Sequence, residues 1–320
     1  MAEGRGCELV WGCDPSRQLE RGWLEALLAP SRQLRWPLEA GVMLDPAVPT
    51  VLVESGLLLL ERDPGPARLE QQAQQRRQRL EQLRGHGPFV LMHLSDEEGL
   101  DADGFYPLLP EQTMVWRNFP YPRFQGRPGL QAFPIGPRAE FLDPSLQAVA
   151  ATPASHRPFP WAFMGTLWAS GSRTLAASLF LRALPQGCFY GGSRFGQGLP
   201  LPHYRGQLLQ SAFALCPEGD RHLDTFRLYE SLQAGCIPVV VDQRCQAMAM
   251  LGTTPPFPLF SSWPEALVWV QEVLADPEQL DATQATVRLW WQTRCMELSQ
   301  AMRHTLHQSH AGRSASCVCF

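Results

Sequence analysis

Short apolar segments alternate with amphipathic ones along the first half of the chain. Runs of apolar residues bounded by polar turns are typical of the buried strands of a parallel sheet. We predict five such strands, at residues 8–12, 51–54, 89–94, 113–119 and 130–135. Residues 16–28 and 67–84 between them have the spacing of helices. Strands that alternate with helices predict an α/β sheet with crossover connections.

The pattern stops between residues 143 and 160, which we interpret as an interdomain linker, and then resumes. Here we predict strands at 161–165, 188–190, 212–216 and 237–241, and helices at 172–183, 225–233, 263–274 and 281–307. The sequence therefore predicts two α/β domains, 1–150 and 151–320, with a cleft between them. The last helix is a candidate to return toward the first domain.

The composition excludes several classes of function. Hydrophobic residues make up 45% of the chain and charged residues 18%, which is ordinary for globular domains. The net charge of −4 gives no footprint for nucleic acid. All 27 basic residues are arginine, so any phosphate must be bound by arginine, and Schiff-base or P-loop lysine chemistry is excluded.

The nine cysteines are scattered and form no C-x-x-C pair, so we expect neither a zinc site nor a disulfide scaffold. The first six residues lead into no apolar segment of the signal-peptide kind. The apolar stretch at 51–60 contains Glu54 and is too short to cross a bilayer. We therefore expect a cytoplasmic protein without a transmembrane segment.

The most informative segment runs from residue 212 to residue 243. A buried strand ends there, a loop containing Gly219 follows, and Asp224 or Thr225 is placed to cap the next helix. The helix begins just beyond the carboxyl end of a strand, where open α/β sheets bind their ligands. Its N-terminus offers backbone N–H groups and a positive dipole end to an anion such as a pyrophosphate.

Arg227 lies in the first turn of this helix, and Glu230 follows three residues later on the same face. Arg227 can therefore meet phosphate while Glu230 accepts hydrogen bonds from ribose hydroxyls. The alternative is an exposed helical ion pair between the two, worth about 0.2–0.5 kcal/mol.

The same segment closely resembles the signature of the exostosin-like glycosyltransferases (glycosyltransferase family 47). The matching positions are Cys216-Pro217, Gly219, Asp224-Thr225-Phe226-Arg227, Tyr229-Glu230 and Gly235-Cys236-Ile237-Pro238-Val239. The chain departs from the signature by Thr225 for Ser, by Ser231 for Ala and by the loop length around His222. A second string, residues 93–97 (HLSDE), resembles the ribitol xylosyltransferase branch of this superfamily.

The resemblance implies a fold of the GT-B type, with two Rossmann-like domains facing each other across a cleft. It implies that the C-terminal domain binds the nucleotide and the N-terminal domain the acceptor. It also implies inverting transfer from a nucleotide sugar without a bound metal or other cofactor.

A second candidate donor site combines Gly165 with Arg173. Gly165 ends a predicted strand and lets a ligand approach the backbone, and Ser170 or Ser172 is placed to cap the helix that Arg173 enters. In the family, the corresponding arginine helps to bind the diphosphate. The alternative is a surface arginine on an amphipathic helix.

A third candidate site follows the strand at 89–94. An inverting transferase needs a base for the acceptor's proton, and Asp96 and Glu97 are the candidates, because clustered carboxylates raise one another's pKa. His93, Arg117 and Asn118 lie at strand ends and are candidates for acceptor binding. The alternatives are a solvated acidic turn and simple surface exposure.

The predicted enzyme transfers a hexosyl or pentosyl unit from a nucleotide sugar to a hydroxyl of a glycan or polyol-phosphate, in polysaccharide biosynthesis. One alternative is a non-transferring enzyme of the same fold, such as a nucleotide-sugar epimerase. Another is a catalytically inactive subunit that binds glycans.

Overall fold

The computed structural model describes residues 6–39, 42–56, 65–119, 121–124, 126–167, 171–193, 198–219 and 221–316, the last five without their side chains. The chain forms two compact units. The first comprises Met1–Ile135 and Cys295–Phe320, and the second comprises Gly136–Arg294. The expected boundary at residue 150 thus lies inside the second unit, and the last part of the final helix is assigned to the first.

The first unit contains a sheet of six strands, all paired in parallel, in the order β2-β1-β3-β4-β5-β6. The strands are β1 (Cys7–Trp11), β2 (Ser31–Arg35), β3 (Thr50–Ser55), β4 (Phe89–Leu94), β5 (Val115–Arg117) and β6 (Leu130–Ala132). The strands β1, β3 and β4 are buried along their whole length, which explains their nearly unbroken apolar runs. The edge strand β2 is half-exposed and polar, and the hydrophobic pattern did not predict it.

Helices of the first unit cover this sheet. They are α1 (Arg21–Leu28), α2 (Pro66–His86) and α3 (Leu100–Phe105). The helix α2 was predicted at 67–84, and Leu80 and Leu83 of its apolar stripe are buried against Val10 and Leu91 of the sheet's core cluster. Arg76 and Arg79, on the same helix, are also buried, so α2 brings charge to the sheet as well as apolar surface.

The second unit contains a parallel sheet in the order β11-β10-β9-β7-β8. Its strands are β7 (Phe159–Thr166), β8 (Cys188–Gly192), β9 (Ser211–Leu215), β10 (Ile237–Val241) and β11 (Leu259–Phe260). The helices that follow residue 136 are α4 (Leu146–Ala150), α5 (Ser172–Ala183), α6 (Leu201–Leu209), α7 (Phe226–Gln233), α8 (Ala247–Leu251), α9 (Trp263–Leu274) and α10 (Pro277–Ser316). The α/β fold with parallel sheets in both halves is confirmed. No helix in the described ranges is long and apolar enough to span a bilayer.

The segment that we interpreted as a linker is packed into the second unit. It carries α4, and the buried Arg157 donates hydrogen bonds to the carbonyl oxygens of Ala150, Thr152, Ser211 and Ala234. Its Pro, Ala and Ser content obscured this packing, because the bonds that anchor it reach residues far along the chain.

In each sheet, the order in which successive strands are added reverses at one strand. The strands β2 and β3 lie on opposite sides of β1, and β8 and β9 lie on opposite sides of β7. Open α/β sheets form a ligand crevice at such a reversal, outside the carboxyl ends of the two strands concerned. The topology therefore marks one position in each unit, between β1 and β3 and between β7 and β9.

Gly235 follows the end of α7 in a left-handed conformation, with a φ of 69°. The N–H of Gly235 bonds to the carbonyl of Leu232, and the N–H of Cys236 to that of Ser231, which is the Schellman arrangement. A Cβ atom at position 235 would lie 2.2 Å from the carbonyl oxygen of Ala150. Only glycine satisfies both the backbone angle and the close approach.

We expect Gly235→Ala to lower the free energy of unfolding by more than the roughly 1–2 kcal/mol that a left-handed alanine costs. Gly252→Ala is the matched control, because its φ is 68° and its added Cβ would meet only the movable end of Arg294. Denaturant unfolding of both variants measures the difference. Equal losses would show that the contact with Ala150 is not a constraint.

Candidate functional site

Arg173 joins two loops at the reversal point of the second unit. It lies in the first turn of α5, and its guanidinium donates to the carbonyl oxygen of Thr166 at 3.0 Å and to that of Glu218 at 2.9 Å. The first acceptor ends β7 and the second lies in the loop that follows β9. The predicted donor-site arginine is therefore mostly buried at the crevice that the topology marks, rather than on an open helix surface.

Arg227 approaches the same crevice from the first turn of α7. Its Nη2 donates to the carbonyl oxygen of Met164 at 3.3 Å, and its guanidinium lies 4.7 Å from the centre of the Phe163 ring. A Cβ atom on Gly165 would lie 2.2 Å from this Nη2, so the glycine makes the approach possible. Nε of Arg227 is buried and has no hydrogen-bond partner among the residues that the structure describes.

Glu230 pairs with Arg138 and not with Arg227. One carboxylate oxygen accepts from Nε of Arg138, and the other accepts from the Tyr204 hydroxyl at 2.8 Å. Glu230 is only 2% exposed, whereas the side chain of Arg138 is 28% exposed. Within the described residues, Arg227 and Glu230 thus do not form the exposed helical ion pair that was the alternative.

Sequence reasoning missed Arg138 and Tyr204. They lie 92 and 26 residues from Glu230 along the chain, so no local spacing connects them to it. Burial raises the pKa of Tyr204 well above its usual value, and the charge of Glu230 raises it further while Arg227 lowers it. The Tyr204 hydroxyl therefore remains a proton donor to Glu230, within reach of the Arg227 charge.

The start of α7 differs in detail from the expected cap. Thr225 is the N-cap residue, but its hydroxyl forms no capping bond and has no partner within the described ranges. Asp224 instead accepts a hydrogen bond from the Tyr229 hydroxyl at 2.5 Å. The N–H of Gly219 bonds to the carbonyl of His222 and tightens the preceding loop. The Thr225 side chain therefore accepts a hydrogen bond from none of the N–H groups in the first turn of α7.

Two of the predicted acceptor residues are fully buried in the first unit. His93 lies 2.8 Å from a carboxylate oxygen of Asp101 and 3.1 Å from the Tyr106 hydroxyl. Arg117 donates to the carbonyl of Asn118 at 2.9 Å and to Tyr106 at 3.2 Å. Both have an exposed fraction of 0%, so they stabilise the carboxyl edge of the sheet and present no surface to an acceptor.

Asn118, the third predicted acceptor residue, is also buried. Its side chain accepts from the N–H of Ser95 and donates to the carbonyl of Phe133. These bonds connect the ends of β4, β5 and β6. The alternative of simple surface exposure therefore describes neither Arg117 nor Asn118.

The two predicted catalytic carboxylates have different surroundings. Asp96 is 3% exposed and accepts from the N–H groups of Asp101 and Ala102, each at 3.1 Å, in the first turn of α3. It also accepts from Arg117 at 3.3 Å. Glu97 is only half-buried. Of the two residues, Glu97 is the more exposed.

A third acidic residue at this edge was not predicted. Glu20 accepts a hydrogen bond from the Ser95 hydroxyl at 2.9 Å, and its burial raises its pKa. Ser95 has a φ of 57°, which is unusual for a residue with a side chain. In the sequence, only the position of Glu20 shortly after β1 indicated that it could lie at this edge of the sheet.

The family comparison identifies one domain. The model described as the Exostosin GT47 domain matches residues 108–280, which is more than half of the chain. No curated protein matches the chain. The matched range contains Arg138, Gly165, Arg173, Arg227 and Glu230.

We expect Arg138→Met to lower the free energy of unfolding by up to about 3–5 kcal/mol, because it leaves the Glu230 carboxylate buried without its cation. Adding Glu230→Gln removes that charge and keeps an acceptor for Tyr204. The double variant should therefore be more stable than Arg138→Met alone in denaturant unfolding. A double variant that is no more stable would contradict this account of the pair.

Proposed function

The chain belongs to the exostosin GT47 family of glycosyltransferases and has their GT-B type of fold, and from that premise we propose an inverting transfer of a sugar from a nucleoside-diphosphate sugar. The acceptor is a hydroxyl group of a glycan or polyol-phosphate. The observation that carries this proposal is the convergence of Arg173 and Arg227 on the crevice between β7 and β9.

The donor's diphosphate would bind at the N-terminus of α7. Its negative charge meets the helix dipole, first-turn backbone N–H groups that the N-cap side chain does not bond, and the guanidinium groups of Arg173 and Arg227. As the bond between the anomeric carbon and the phosphate oxygen breaks, its electron pair leaves with the diphosphate. Fixed positive groups stabilise the growing charge, which is the part that a metal ion plays in other transferases.

Glu230 is the proposed contact for the ribose hydroxyls. A carboxylate has about four acceptor positions, and Arg138 and Tyr204 occupy two of those of Glu230. Arg138 is the more exposed member of the pair, so it also offers donors to the nucleotide. We propose that Glu230 fixes the direction of the Arg138 guanidinium for this purpose.

The first unit would supply the base and the acceptor site. Glu97 takes the proton of the acceptor's hydroxyl group, while the oxygen of that hydroxyl group forms the new bond to the anomeric carbon. Asp96 is the second proposed carboxylate. Because it already accepts two backbone N–H bonds, its substitution also affects α3.

A panel of nucleotides tests the proposal at its first step. UDP, GDP, CDP and ADP are added separately to the full chain, and the melting temperature is followed. Binding at one hundred times Kd adds about 2.7 kcal/mol of stability, which such a measurement detects readily. Stabilisation by none of the four contradicts a nucleotide-sugar donor.

Turnover of the stabilising donor separates the alternatives. A transferase passes a hexosyl or pentosyl unit to an acceptor, an epimerase converts the donor without an acceptor, and an inactive glycan-binding subunit does neither. We also propose a cytoplasmic location, resting on the odd number and scatter of the nine cysteines.

We expect Arg227→Lys to lower kcat by roughly 10- to 150-fold, the value of one charge-assisted hydrogen bond. Lysine keeps the charge but lacks the planar fork that binds two phosphate oxygens. The donor KM should change less, because the charge on the leaving group grows toward the transition state. Arg182→Lys, on the exposed face of α5, is the matched control. Activity within about twofold of wild type would remove Arg227 from the phosphate site.

We expect Glu97→Gln to lower the kcat of transfer strongly and to leave nucleotide-induced stabilisation unchanged, because Glu97 and the proposed nucleotide site lie in different units. The loss should be about 100- to 10,000-fold, as for removal of a general base. Glu98→Gln, at the exposed neighbouring position, controls for the loss of charge. A wild-type kcat in Glu97→Gln places the base elsewhere.

A further inference from the structure

A cavity of about 310 Å³ lies in the first unit, at the point where its sheet changes direction. Residues that directly follow β1 and the carboxyl end of β3 form two of its sides, and α2 forms another. The position between β1 and β3 was defined by strand order alone. Topology and shape therefore indicate the same place independently.

The charged groups of the cavity floor are already paired with one another. Arg79 donates to Glu54 at 2.6 Å, and Arg76 donates to the other oxygen of Glu54 at 3.2 Å. All three side chains are nearly fully buried. A Cβ atom on Gly12 would lie 2.2 Å from the Glu54 carboxylate, so the glycine allows the pair to reach the cavity. The floor therefore needs no counter-ion from a ligand. Three further charged residues line the cavity, and each of them has a partner of its own; they are Asp14, Arg17 and Arg68.

Gln18 has a polar atom that the described protein does not satisfy. The residue lines the cavity and is 7% exposed. Its amide nitrogen donates to the carbonyl oxygen of Asp14 at 3.3 Å. Its side-chain oxygen is buried and has no hydrogen-bond partner in the described ranges. A buried acceptor of this kind is satisfied by a ligand that brings a donor.

The wall from α2 carries three amide side chains together with Arg68 and Arg79. Gln71, Gln72 and Gln75 line the cavity, and their spacing places them on one face of the helix. An amide both donates and accepts hydrogen bonds, as a hydroxyl group does. Such a wall fits a ligand with many hydroxyl groups and offers little to an apolar one.

We propose that this cavity binds one neutral, hydroxyl-rich sugar unit. The unsatisfied oxygen of Gln18 decides between a sugar and a phosphate, because a hydroxyl donates a hydrogen bond to it and an ionised phosphate oxygen repels it. The statement that this sugar is part of the acceptor rests on the proposed transferase function. Sugar binding by the cavity does not depend on that function.

Ligand-observed NMR titrations of the full chain test the proposal, with the methyl glycosides of xylose, glucose, galactose and mannose as separate probes. At least one glycoside should bind saturably, and inorganic phosphate should not compete with it. The double variant Gln71→Ala/Gln75→Ala should weaken that binding by about tenfold, as expected for two lost hydrogen bonds. The matched control is Gln74→Ala/Gln78→Ala, which changes two exposed glutamines of α2 outside the cavity and should bind like wild type.

Gln18→Leu provides a second readout that a merely structural residue would not give. It replaces the unsatisfied oxygen with a group of similar size, so glycoside binding should be lost without a fall in melting temperature. Binding of none of the glycosides, competition by phosphate, or unchanged binding in both cavity variants would overturn the proposal. Nucleotide stabilisation is measured in the same samples. Glycoside binding without nucleotide binding therefore refutes the transferase function and leaves the sugar site standing. Nucleotide binding without glycoside binding refutes the sugar site and leaves the transferase function standing.

Discussion

Every strand of a parallel sheet ends at the same edge as its neighbours, and carbonyl groups at that edge lose their strand partners where the sheet changes direction. In the second unit two arginines satisfy these carbonyls. Arg173 bonds to Thr166 and Glu218, and Arg227 bonds to Met164. A guanidinium has five N–H donors, and Nε of Arg227 has no partner among the described residues after these loops are closed. The need to satisfy the backbone thus places fixed positive charge at the crevice that we propose for the diphosphate.

The first unit meets the same constraint by pairing its charges with one another. Glu54, Arg76, Asp101 and His93 form a continuous buried chain at the carboxyl ends of β3 and β4. Burial alone would raise the pKa of Asp101, but hydrogen bonds from His93 and Arg76 bring it below its ordinary value. Polar residues whose partners are all internal stabilise the fold. Among the described residues of this unit, the half-buried Glu97 and the cavity beside Gln18 are the positions that we propose for ligands.

The sequence predicted those parts of the fold that depend on burial along the chain. The strand Phe89–Leu94 and the helices Ser172–Ala183 and Trp263–Leu274 begin and end where the pattern indicated. The edge strand β2 was not predicted, because its half-exposed residues give it no apolar run. Arg227 and Gly165 were both chosen as candidates, but their contact depends on the folding of α7 against β7. Periodicity carries no information about such pairs.

Glu230 shows why the candidate site could be only half predicted. Helical spacing placed it near Arg227, yet a buried carboxylate takes the partner that removes its charge from the interior at the best geometry. That partner is Arg138, from the segment just before α4, with Tyr204 of α6 at the other oxygen. Because Tyr204 keeps its proton, Glu230 holds two donors in fixed directions. A buried ion pair is costly, and on our proposal its role here is to orient Arg138, because groups oriented before binding stabilise charge at least cost.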